Sequence, residues 1–213
     1  MSRASDILNN LNKVRAEIPE DIHLIAVTKN FPIEDIEVLY EAGIRDFGEN
    51  RDQEGAEKAR RMPKDIKWHF QGQIQSNKIK SIIEWAQYIH SLDELDHAAK
   101  FNKRLQSPIE VFIQVSLDGK EHRGGVEPAK LDDFLHAITK LPMINPIGLM
   151  AVAPVSGDPD KAFSELNSIF KASQNSYPFL KYLSAGMSTD YLPAIKHGAK
   201  HIGLGSAIHR ARG

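Results

Sequence analysis

His23-Leu24-Ile25-Ala26-Val27-Thr28-Lys29 is a short apolar run, rich in β-branched side chains, that ends in a lysine. Such a run reads as a buried strand. The stretch behind it has helical spacing. In Pro32-Ile33-Glu34-Asp35-Ile36-Glu37-Val38-Leu39-Tyr40, the positions Ile33, Ile36, Leu39 and Tyr40 fall on one face. Pro32 suits a first helical position, and Gly43 stands where the chain must leave the helix.

The same strand-then-helix unit repeats to the C-terminus. Further strands are predicted over Asp46–Glu49, Lys67–Gly72, Tyr88–Leu92, Ile109–Ser116, Ile144–Val152, Tyr182–Gly186 and His201–Gly205. Helices are predicted from near Arg51 and over Asn77–Ala86, Asp93–Leu105, Glu127–Leu141, Asp158–Ser173 and Thr189–His197, the last opened by the capping cluster Ser188-Thr189-Asp190. Eight such units fit a closed (β/α)8 TIM barrel, preceded by an extra N-terminal helix over Ser5–Glu17. A doubly wound open sheet competes, because alternation alone does not distinguish closure from openness. No composition break marks a linker, so residues 1–213 read as a single barrel domain. In either architecture ligands bind at the carboxyl ends of the strands. Lys29, Asn50, Gly72, Gly186 and Gly205 all fall at such ends.

Composition narrows the function. With 27 basic and 28 acidic residues, the net charge of -1 gives no global attraction to nucleic acid or an acidic membrane. The cluster Lys58-Ala59-Arg60-Arg61 reads as a solvated helix end, favoured by the helix dipole. Cysteine is absent, which excludes disulfides, thiol nucleophiles and thiolate metal sites and agrees with a reducing compartment. No signal peptide opens the chain, and no apolar run approaches the roughly 18 residues that span a bilayer. A cytoplasmic protein is expected.

Two later turns, Leu183-Ser184-Ala185-Gly186-Met187-Ser188 and Gly203-Leu204-Gly205-Ser206, consist largely of small residues. Glycines there let backbone N–H groups approach an anion, and Ser184 and Ser188 add hydroxyls. A short helix starting at Ser206 would add the positive end of its dipole. Phosphate sites after strands seven and eight recur in this barrel. A lysine amine beside a phosphate cradle is the minimum equipment for holding pyridoxal 5′-phosphate (PLP) as a Schiff base. Asn50 falls next to Lys29 around the barrel, where its amide can contact the ring or, alternatively, cap the following helix.

Other constellations are poorer. The nine histidines show no metal-binding spacing. His69 and His90 fall on strands three and four and could point inward, although strand histidines are more often simply packed or exposed. No carboxylate pair stands out for acid/base work, and no serine sits in a Gly-x-Ser-x-Gly elbow.

Five ordered runs carry a family resemblance: Ala26-Val27-Thr28-Lys29, Phe47-Gly48-Glu49-Asn50-Arg51-Asp52-Gln53-Glu54, Trp68-His69-Phe70-Gln71-Gly72-Gln73-Ile74-Gln75-Ser76-Asn77-Lys78, Gly148-Leu149-Met150-Ala151-Val152-Ala153-Pro154 and Leu183-Ser184-Ala185-Gly186-Met187-Ser188-Thr189-Asp190. From about residue 5 onward the chain closely resembles the pyridoxal phosphate homeostasis proteins. The resemblance implies the fold type III arrangement of PLP proteins, like the alanine racemase N-terminal domain but without the racemases' extra β-domain. It implies that Lys29 is the Schiff-base lysine and that Asn50 lies beside the cofactor. Ser184 and Ser188 would lie near the phosphate, with Gly205 and Ser206 at the family's Gly-Thr or Gly-Ser position, and Met187 and Gly203 would also belong to the cofactor site. It further implies a part in vitamin B6 balance with no established turnover. One departure matters. Where the family usually carries an arginine near the pyridine nitrogen, this chain has Gly203, which leaves that nitrogen without an assigned partner. His201 and Arg210 are nearby in sequence, and His209-Arg210 replaces the usual Phe-Gly.

Two functional classes follow. One is a PLP carrier or regulator, a monomer or weak dimer that exchanges its cofactor with PLP-dependent apoenzymes. A racemase needs a second acid/base group, usually from another domain, for which 213 residues leave no room. The other is a Schiff-base enzyme, either a minimal PLP-dependent racemase or lyase or a PLP-free aldolase acting on a phosphorylated substrate.

Overall fold

Eight parallel strands hydrogen-bond in chain order and close on themselves. They are β1 (His23–Val27), β2 (Asp46–Glu49), β3 (Lys67–Phe70), β4 (Tyr88–Leu92), β5 (Ile109–Gln114), β6 (Ile144–Met150), β7 (Tyr182–Ser184) and β8 (Ala199–Leu204). Closure is made by β1 on β8, with Ala26 opposite Leu204 and His23 opposite His201. An open sheet is thereby excluded. The computed structural model describes residues 2–119 and 123–210.

The helices are α1 (Arg3–Glu17), α2 (Ile33–Glu41), α3 (Asp52–Arg61), α4 (Ile79–Trp85), α5 (Leu95–Arg104), α6 (Leu131–Ile138), α7 (Pro159–Ser176), α8 (Tyr191–Lys196) and α9 (Ser206–His209). Most turn an apolar stripe inward; α3, which buries only Gly55 and Lys58, is an exception. In α6 the stripe is Leu131, Phe134, Leu135 and Ile138, all buried, and side chains of this size contribute about 1.5–3 kcal/mol each when fully buried. The N-terminal helix packs on α2 and α9. Its Asn10 is buried and donates through Nδ2 to the carbonyls of Ile208 (3.1 Å) and Arg210 (2.9 Å).

Several predicted boundaries shift for physical reasons. Six strands stop one or two residues short, β1 at Val27 rather than Lys29 and β7 at Ser184 rather than Gly186. At the first, Asn30 takes a left-handed φ of 62°, a conformation asparagine tolerates better than most residues. This turns the chain out of the ladder directly after Lys29. Pro32 is the N-cap of α2 rather than its first helical residue. Asp93 does not start α5, because its carboxylate accepts the Gly125 N–H at 2.7 Å, and Glu94 takes the cap position.

One surface expectation is overturned. Arg60 and Arg61 are exposed, but Lys58 is buried. Its ammonium donates to Glu49 Oε1 (2.6 Å), Glu54 Oε1 (2.7 Å) and the Thr28 carbonyl (2.6 Å). Thr28 also donates its hydroxyl to Glu49 Oε1 at 2.5 Å. The cluster lies directly behind the end of β1. Burial pushes the Glu49 carboxyl up, against the Lys58 and Thr28 hydrogen bonds that favour its charge.

Candidate functional site

A cleft of about 390 Å³ opens at the carboxyl ends of the strands. Lys29, Asn50, Ser184, Met187, Ser188, Gly203, Gly205 and Ser206 all line it. Residues spread over nearly 180 positions of sequence thus converge because β1, β2, β7 and β8 deliver their C-terminal ends to one rim. The remaining wall comes from Val27, Gln71, the Met150–Val152 turn, Ala185, Gly186 and Thr189.

The rim is built by local interactions. The turns after β7 and β8 are tied together by Ser188, whose Oγ accepts the Ala207 N–H at 2.9 Å. The first turn of α9 therefore has one N–H already used, and the hydroxyl proton of Ser188 is left to point elsewhere. Asp190 is the N-cap of α8, but its carboxylate turns back to accept the Met187 N–H at 2.7 Å, which shapes the Gly186–Asp190 turn. At the second strand end, Asn50 is not a helix cap; Arg51 holds that position, without a side-chain cap bond. Gly72 allows the crowding here, since a β-carbon on it would stand 1.9 Å from the Asn50 carbonyl oxygen.

Gln71 also lines the cleft, and its place in the sequence carries a signal. It lies two residues after His69, on the same inward face, and a polar residue at the carboxyl end of an inward strand face is exposed to whatever the barrel mouth holds. Its amide fills the space that side chains on two glycines would need. A β-carbon on Gly48 would stand 2.8 Å from Gln71 Oε1, and one on Gly203 would stand 3.3 Å from Nε2.

Neither His201 nor His209 reaches the cleft. His201 is buried lower in the barrel, stacked on His23 at 4.4 Å, where burial, then neighbouring histidines, push its imidazole down to about 3. His209 faces α2, stacked on Phe31 at 4.1 Å with Nδ1 3.3 Å from Asp35. Arg3 completes that arrangement by pairing with Asp35 through Nε at 2.9 Å. His69 and His90 are fully inward and buried. Among the described residues, Asp93, Glu94 and His97 bring ligand atoms within 4.8 Å of one another, but Asp93 is engaged with Gly125.

The alanine racemase N-terminal domain family matches residues 3–212. The pyridoxal phosphate homeostasis protein of Escherichia coli (strain K12) is 33% identical, with 98% of this chain and 97% of the relative covered. This chain belongs to the pyridoxal phosphate homeostasis protein family. The family member from Mycobacterium leprae is 32% identical over 97% of this chain and 93% of its own. Among solved structures, PipY of Synechococcus elongatus PCC7942 with PLP bound superposes with a TM-score of 0.89 at 32% identity, covering 96% of this chain and all of that one. Alanine racemase of Clostridium difficile 630 gives a TM-score of 0.83 at 15% identity. That likeness is one of fold, and this homeostasis-family chain spans 57% of the racemase. Among the described residues, no helix is long and apolar enough to cross a membrane.

Proposed function

We propose that this chain binds pyridoxal 5′-phosphate in the cleft beside Lys29 and serves intracellular vitamin B6 balance as a cytoplasmic carrier rather than an enzyme. The observation that carries this reading is convergence. A lysine amine and the small-residue turns after β7 and β8 line one cleft, and the protein's relatives are named for PLP homeostasis.

The chain's residues fit the cofactor. PLP, when bound, supplies an electrophilic carbon for condensation with an amine. Lys29 presents that amine from the end of β1. Ser188, Gly205 and Ser206 offer hydroxyl and backbone donors to a phosphate. Asn50 flanks the ring from the end of β2. Gln71 lies over Gly203, and its neutral amide is the assigned partner of the pyridine nitrogen in place of an arginine. A neutral amide can donate or accept, so it does not force the ring nitrogen to stay unprotonated.

The non-enzymatic part rests on what lines the cleft. Lys29 is the one ionisable side chain among the lining residues, whereas racemisation needs acid/base groups on both faces of the substrate. Met187 at the rim is exposed, and an open cleft suits exchange with PLP-dependent apoenzymes.

Reconstitution of the purified protein tests this. A visible absorbance band should form with PLP and be lost in Lys29→Ala, and the loaded protein should not racemise amino acids. A protein that stays colourless with PLP would support the aldolase reading instead, and amino-acid turnover would remove the non-enzymatic one.

A further inference from the structure

The interior of a (β/α)8 barrel is ordinarily filled by layers of branched apolar side chains. Here a line of polar groups runs through it. Asp46 Oδ1 is 2.9 Å from His69 Nε2, His69 Nδ1 is 2.8 Å from His90 Nε2, and His90 Nδ1 is 2.7 Å from Ser184 Oγ. One end, Asp46, lines a cleft at the amino-terminal mouth together with His23, Tyr88 and His201. The other end, Ser184, lines the Lys29 cleft. Both imidazoles between them are almost wholly buried, and each has both ring nitrogens partnered.

The proton positions follow from the chemistry of the groups. An ionised carboxylate only accepts, and a neutral imidazole has one donor and one acceptor nitrogen. Burial works against the Asp46 charge, but the His69 bond and nearby cations outweigh it and hold the carboxyl below its usual range. Burial keeps His69 and His90 neutral, His90 strongly so. His69 must then donate from Nε2 to Asp46, which leaves its Nδ1 as an acceptor. His90 must donate from Nε2 to that nitrogen, which leaves its own Nδ1 as an acceptor. Among the described residues, the donor within reach of His90 Nδ1 is the Ser184 hydroxyl.

We propose that the Asp46–His69–His90 relay fixes Ser184 as a hydrogen-bond acceptor toward the Lys29 cleft, so that Ser184 meets a proton-bearing atom of the bound cofactor and not its phosphate. This rests on the PLP reading for the identity of the ligand, while the relay itself does not. An oxygen that turns its proton away presents lone pairs, which repel a phosphate oxygen and favour an N–H or O–H. Phosphate recognition is thereby left to Ser188 and Ser206. Ser188 supports this division, because its Oγ accepts from Ala207 and its proton is free to donate outward. Asp46, His69 and His90 act as positioning residues that never touch the ligand.

Two measurements test the proposal. In the cofactor-free protein, the imidazole ¹⁵N spectrum should show His69 and His90 both as the Nε2–H tautomer near neutral pH; an Nδ1–H tautomer at either ring overturns the relay. The second compares PLP with pyridoxal, which lacks the phosphate. Ser188→Ala should reduce the preference for PLP over pyridoxal by about tenfold or more, as expected for a hydrogen bond to a charged group. Ser184→Ala should weaken both ligands by a similar factor and leave the preference intact. Collapse of the preference in Ser184→Ala overturns the assignment. If neither ligand binds the unmodified protein, the cofactor reading fails, and the tautomer spectrum still decides the relay.

Discussion

Gln71 lies across Gly203, with its amide nitrogen 3.3 Å from where a β-carbon on that glycine would stand. Gly48 completes the slot from β2, where a β-carbon would stand 2.8 Å from the amide oxygen. Two glycines on two strands therefore make room for one side chain at the floor of the cleft. Gln71→Ala is expected to weaken PLP about five- to tenfold, the worth of one hydrogen bond of about 1–1.5 kcal/mol. Gly48→Ala should act in the same direction by pushing the amide aside. Titration of the visible absorbance checks both, and an unchanged affinity in Gln71→Ala would remove Gln71 from the site.

Lys58 is expected to be a stability residue rather than a surface charge. Replacing it with methionine strands Glu49 in the protein interior, where one Glu49 oxygen already lacks a partner among the described residues. Loss of one member of a buried ion pair costs about 3–5 kcal/mol. Urea unfolding of Lys58→Met should show a loss of this size, and adding Glu49→Gln should recover part of it. Arg61→Ala, on the exposed end of α3, should stay within about 0.5 kcal/mol of the parent.

Acid should destabilise the protein through its buried histidines. Burial holds His209 down to about 4 from an ordinary 6.5, against the pull of Asp35. Its neutral form is favoured in the folded state, so the unfolded chain takes up the proton first. Stability from this group is complete above about 6.5 and is lost as the pH falls toward 4, at about 1.4 kcal/mol per pH unit. His201 adds a similar slope that extends lower. His209→Phe, which keeps a ring against Phe31, should flatten the urea midpoint between pH 6.5 and 4. A midpoint with the parent's slope would show that His209 titrates normally.

Asn10 couples the N-terminal helix to the turn that follows β8. Asn10→Ala leaves the carbonyls of Ile208 and Arg210 without this donor, at a cost of about 1–3 kcal/mol. The displaced α9 should also raise the dissociation constant for PLP, although Asn10 lies outside the cleft. Isothermal unfolding and PLP titration on the same variant read both effects.

The barrel was legible in sequence because each unit carries two periods that do not conflict, an apolar run for the strand and a one-sided stripe for the helix. Closure was less so; it depends on β1 meeting β8, a pairing across almost the whole chain that no local pattern encodes. The rim residues were found because a strand's carboxyl end is a position that sequence can mark. Gln71 and the relay were not, for a common reason. A lone glutamine or histidine on a strand looks the same whether it is packed singly or hydrogen-bonded to a residue many positions away, as His90 is to Ser184. Lys58 departs from the expectation because a basic helix end is ordinarily solvated, and only the fold brings Glu49 beneath it.

The pairing of β1 with β8 sets Lys29 on one lip of the barrel's closing seam and Gly205–Ser206 on the other. Lys29 and the turn after β8 thus come from distant parts of the polypeptide and meet only when the first strand accepts the last. A nascent chain that has emerged from the ribosome as far as β7 holds the lysine but no complete receptacle. On the PLP reading, cofactor capture would mark the end of folding, and a chain cut short before β8 should leave PLP unbound.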